Sequence, residues 1–199
     1  MAGPLLPPHG QALQSSCRRC RRRSREFSLG RWPAGELSRR IGPEQRSAEV
    51  RMKIDDRVEQ LVRDTLHWAV KRKPAEFGDA LRAFPDEASR LSALELLVAI
   101  CGYTTVDLFG QRPSEGQVRA LATDIAEGEG WSSVTIAEVA DYIDAVLGGS
   151  RTLDTLPPER LVPLSFVVAA NLLSSKPKAP GEWWFNYLDK VEAAIEAAG

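Results

Sequence analysis

The chain has 199 residues, 43% of them hydrophobic, with 26 basic and 27 acidic side chains. Its near-neutral sum conceals two opposite segments: residues 1–51 carry 11 Arg, no Lys and 4 acidic residues, a net of +7, whereas residues 52–199 carry a net of −8. Three Cys are too few for a disulfide-built fold, and no uninterrupted apolar run approaches the roughly 20 residues of a bilayer span, so a reducing, cytoplasmic setting with no membrane span is expected.

Residues 1–51 are rich in Arg, Pro, Gly and Ser, and their scattered apolar residues keep no period of 2 or 3.6. Such a segment buries too little to offset its ordering entropy, and a disordered leader is expected. Leu5 and Leu6 precede the basic cluster instead of following it, the wrong order for a secretory signal. Cys17-Arg18-Arg19-Cys20-Arg21-Arg22-Arg23 with Arg25 suits a phosphate-binding arm or an Arg-rich transit peptide. Zinc through the C-x-x-C needs two further ligands, and only His9 is near, so no metal is expected. The leader also has the composition of translated G+C-rich non-coding DNA, which makes Met52 an alternative start and leaves nucleic acid a partner only if the leader is native.

From Ile54 the pattern becomes helical. Ile54, Val58, Leu61, Val62, Thr65, Trp68 and Ala69 share one face, with acids in the first turn and Lys71, Arg72 and Lys73 in the last. A shorter helix is predicted from Pro74 to Phe84, and a third from Asp86, whose Leu91–Cys101 stretch is apolar nearly all round and therefore central. Gly102–Pro113 is predicted to be a connection that packs down as a turn or short helix. Ser114 with Gln117 and Thr135 with Glu138 have capping-box spacing, the second with a Val134–Val139 staple, and Gly148-Gly149 ends that helix. Pro157, Pro158 and Pro163 predict a turn before a buried helix over about 163–173, and a last helix is predicted over about 182–197. With no strand alternation and no internal repeat, residues 52–199 are expected to form an all-α single compact bundle of about six or seven helices.

Catalytic constellations are missing from this pattern, and neither cofactor nor catalytic residue is assigned. His67 projects with Gln60 and Arg63 on the polar side of its helix, and Cys101 has no basic neighbour to activate it. Glu138, Asp141 and Asp144, with Asp124, Glu127 and Glu129 upstream, lack the order of a calcium loop and read as a solvated acidic face. The unusual feature is Trp183, Trp184, Phe185 and Tyr187, four aromatics in five positions. Adjacent helical residues diverge by about 100°, so one neighbour cannot bury them all. Two arrangements follow: Trp184 and Tyr187 or Leu188 anchor the helix while Trp183 covers the 177–181 loop, or the cluster is a partner-binding patch. The expected function is a non-catalytic adaptor or regulatory domain that binds another protein. The alternatives are a nucleic-acid-associated protein using the leader and a small helical enzyme in which carboxylates and Tyr103 or Tyr142 converge on a pocket.

Overall fold

A computed structural model describes residues 54–153, 156, 158–177 and 180–198. The Arg cluster, Cys17, Cys20, His9 and Met52 lie outside the described residues. Among these there are seven α-helices and no strand: α1 (Asp56–Val70), α2 (Pro74–Arg82), α3 (Glu87–Phe109), α4 (Glu115–Gly128), α5 (Ile136–Val146), α6 (Pro158–Ser175) and α7 (Trp184–Ala198), with a 3-10 turn over Gly130–Ser132. The fold is all-α, as its stripes and caps predict.

Four helix starts carry side-chain caps. The Asp55 carboxylate accepts from the Arg57 and Val58 amides at 3.0 and 3.1 Å, and Asp86 accepts from the Ser89 amide at 2.7 Å, so two helices open on side-chain caps. Both predicted capping boxes form, Ser114 with Gln117 opening α4 and Thr135 with Glu138 opening α5. Gly148 takes φ +69° and closes α5 in a Schellman turn, its amide bonded to Ala145 O and that of Gly149 to Asp144 O. The same turn closes α1, but Arg72, not glycine, holds the left-handed position at φ +53°.

The core is built where α3 and α6 cross. α1 lies on α6 and α2, α4 pairs with α5, and α7 rests on α3 and α6. Val62, Leu66, Leu97, Ile100, Ile125, Ile143, Phe166, Leu173 and Leu188 are sealed in one cluster. Two polar members of these faces are satisfied locally: the hydroxyls of Thr65 and Ser165 each donate at 2.7 Å to the carbonyl four residues back, Leu61 and Leu161.

Three expectations need correction. The predicted connection over 102–113 is mostly helix, because α3 continues through Gly102 to Phe109 and stops at Gly110, φ +69°. Gly102, Thr104 and Thr105 are buried against neighbouring helices, and that packing outweighs their poor helix propensity. At 23 residues α3 is long and apolar enough, by length and mean hydropathy, to cross a membrane, contrary to the reading of the uninterrupted runs alone. Here it lies against α1, α5, α6 and α7, and Leu91, expected among its buried residues, is 56% exposed. Finally, α6 begins at Pro158 and takes Pro163 into its second turn. Pro163 removes one intrahelical donor, the amide that would bond the Glu159 carbonyl, and the buried run that follows compensates for it.

Candidate functional site

The aromatic cluster opens α7, and the helix start itself is unusual. The Tyr187 amide donates to the Trp183 carbonyl at 3.3 Å, which makes Trp183 the N-cap. Ser, Thr, Asp or Asn normally stands there because a side-chain oxygen is needed for the free amides. Trp183 has none. Instead the Asn186 side chain reaches back and accepts from the Trp183 amide at 3.0 Å.

The four aromatics divide between core and surface. Tyr187 is buried: its hydroxyl donates to Asp107 Oδ2 at 2.6 Å, and the Lys176 ammonium, ion-paired with the same carboxylate, lies 4.9 Å from its ring centroid. Burial pushes the Tyr187 phenol up to about 12 and pulls the Lys176 ammonium below its ordinary value. Trp184 is half-buried and meets Phe185 edge-on, with ring centroids 6.0 Å apart. Phe185 is 43% exposed and Trp183 64% exposed, and residues 178 and 179 of the 177–181 loop that Trp183 was expected to cover lie outside the described residues. Tyr187 with Leu188 therefore anchors the helix, while Trp183 and Phe185 face outward.

A second surface was not legible in the sequence. α2 and the first half of α6 leave a cleft between them. At one end Pro74, Phe77, Trp131, Leu164 and Val167 line about 210 Å³. At the other, Leu81, Phe84, Val162 and Pro163 line about 540 Å³, with Arg82, Glu87, Arg90 and Glu159 at the rim. Pro163 borders both, and Arg160 borders the narrow end. Neither Tyr103 nor Tyr142 lines it, and Tyr142 is sealed in the core.

The acidic residues also divide. Glu138 closes its capping box and accepts from Arg160 at 3.0 and 3.1 Å. Asp141 pairs with Arg151 at 3.3 Å, and Asp144 accepts from the Arg151 amide at 3.0 Å. Glu129 is not part of a solvated face. It is 5% exposed and receives Trp131 Nε1 at 2.7 Å, Asn171 Nδ2 at 2.8 Å and the Arg72 guanidinium at 3.2 and 3.3 Å. That pin joins the end of α1 to α4 and α6 and holds the side chain of the left-handed Arg72. Among the described residues no group of three or more His, Cys, Asp or Glu is arranged to hold a metal ion. His67 is exposed, edge-on to Trp68 at 4.8 Å. Cys101 is buried and donates weakly to the Ser165 carbonyl at 3.9 Å; burial pushes its thiol up to about 12, away from nucleophilic use.

No family model matches the chain, and no solved structure matches it. The Chaperone protein DnaK of Prochlorococcus marinus (strain MIT 9515) is 29% identical over 114 residues, 57% of this chain. The chain spans only 18% of that relative's length.

Proposed function

We propose that the helical bundle is a non-catalytic module that binds another protein and that Trp183 and Phe185 form part of the contact surface. The observation that carries this reading is Trp183: a large aromatic, 64% exposed, at a helix cap where a small polar residue would serve stability better. A position that breaks a local folding rule without packing gain is where a functional demand is expected. Phe185 beside it enlarges the apolar area, and the buried Tyr187 with its Asp107 and Lys176 partners fixes the base on which the pair stands. Rigid aromatic anchors of this kind dominate binding hot spots.

The test compares the full chain with its Trp183→Ala/Phe185→Ala variant as immobilised baits in lysate of the native host. Proteins retained by the first are identified by mass spectrometry and their affinities measured. A loss of roughly tenfold or more in affinity, about 1 to 3 kcal/mol, with unchanged helicity and melting temperature supports the surface. Equal affinity of both baits, or a variant that melts, overturns it.

A further inference from the structure

One guanidinium clasps α7 to α1 amid three carboxylates. Arg63 of α1 pairs with Glu59 one turn before it at 2.7 Å, and it reaches across to Asp189 at 2.7 Å and to Glu192 on α7. Glu192 is only 6% exposed, and its Oε1 has no hydrogen-bond partner. We propose that Glu192 is a proton-operated clasp: with its carboxyl protonated, the Arg63 cluster holds α7, which packs on α3 and α6, to the side of α1, and ionisation of Glu192 as the pH rises loosens that link.

The geometry supplies the reason. With all three carboxylates ionised the cluster holds three negative charges against one positive, and the Arg63 donors are divided among them. Glu59 and Asp189 are open enough to hydrate. Glu192 is not, and a buried charge with one oxygen unsatisfied is the costliest member of the set. A proton placed there relieves both the desolvation and the crowding. Burial, against the pull of Arg63 and with the push of Glu59 and Asp189, brings the Glu192 carboxyl up to about 7. Burial also opposes the charge of Arg63, but the Asp189 hydrogen bond and the surrounding carboxylates outweigh it and raise its pKa above the ordinary value. From α3 and α6, which pack against α7, Asp107 and Lys176 meet it at the Tyr187 cluster more than a turn upstream of Glu192, and Lys190 of α7 pairs with Glu182.

The linkage has a definite sign. A carboxyl raised in the folded state binds its proton more tightly there, so its contribution is full below its ordinary value near 4.5 and is lost as the pH rises through about 7. Within that window, each pH unit moves the seating equilibrium by up to about tenfold. The inference stands apart from the binding reading, since it concerns how α7 is held.

The experiment follows the full chain, with His9→Asn and His67→Asn removing the imidazoles that titrate in the same range. Hydrogen exchange of the α7 amides, corrected for intrinsic rate, and the melting temperature are measured from pH 5 to 8.5. Increasing α7 opening and a falling melting temperature across this range are expected. Glu192→Gln should flatten both, and Glu59→Gln, at an accessible position, should move the midpoint to lower pH. A pH-independent parent chain overturns the proposal, as does a Glu59→Gln variant with an unmoved midpoint. Should Glu192→Gln fail to fold, the Glu59→Gln shift decides alone.

Discussion

The Tyr187 hydroxyl donates to Asp107 at 2.6 Å, tying the first turn of α7 to the last turns of α3 across eighty residues of sequence. The bond depends on α3 continuing past Gly102, which carries Asp107 to the Tyr187 hydroxyl. Replacing Tyr187 with Phe keeps the packing and removes the bond. The expected loss is about 1 to 2 kcal/mol, reduced from the full value for a charged acceptor because Asp107 is partly exposed and retains Lys176. Urea unfolding of the two chains with an unchanged m-value checks it.

Ile143 and His67 stand on opposite kinds of helix face. Ile143 is sealed between α5 and the core, and aspartate there introduces an unpaired buried carboxylate. That change should cost roughly 3 kcal/mol or more and unfold the domain, whereas His67→Ala on the exposed face of α1 should be close to neutral. Comparable melting temperatures for the two variants would contradict the facing of both helices.

Trp183 offers a separation of stability from binding. An aspartate at this N-cap can accept from the free amides of the first turn of α7, so Trp183→Asp should gain about 0.5 to 1 kcal/mol in folding stability. The same substitution removes the proposed contact and should weaken partner capture. A stabilised chain that binds as before would leave Trp183 without a role in contact.

Glu138 contributes to the acid limb. Burial works against its charge, but hydrogen bonds from Thr135 and the Arg160 guanidinium outweigh that and hold the carboxyl below its ordinary value near 4.5. A depressed carboxyl contributes stability that is present above its ordinary value and lost as the pH falls through its folded one, the reverse of Glu192. Arg160→Gln should therefore flatten the fall in melting temperature below about pH 4.5. An acid limb as steep as that of the parent chain would show that the pair does not couple to folding.

Local chemistry makes much of this fold readable in the linear order of residues. Ser114, Thr135, Pro74 and Gly148 act on their own turns, through short-range hydrogen bonds and fixed backbone angles, so their spacing alone places four helix ends. The aromatic cluster is visible for the same reason, because helical geometry forbids burying adjacent positions on one neighbour. Which of the four aromatics faces water is left open by spacing, since that depends on α3 supplying Asp107 and on the end of α6 supplying Lys176.

Outcomes set by partners distant in sequence depend on the assembled fold. Gly102 and Pro163 read as helix breakers because propensity is a local cost of about 1 to 3 kcal/mol, and burial against neighbouring helices offsets it. Glu129 reads as a surface acid because its partners Arg72 and Asn171 are distant in sequence, and nothing in the spacing marks Glu192, whose partner Arg63 lies 129 residues away. The α2–α6 cleft is a gap between elements, and it exists only once both are placed. The sequence by itself determined an all-α chain, its helix starts and the stripes that face the core, since these follow from periodicity and capping within a turn or two. How far α3 runs, which carboxylates are buried and which aromatics stay exposed were decided by packing, whose energies come from contacts the linear order does not display.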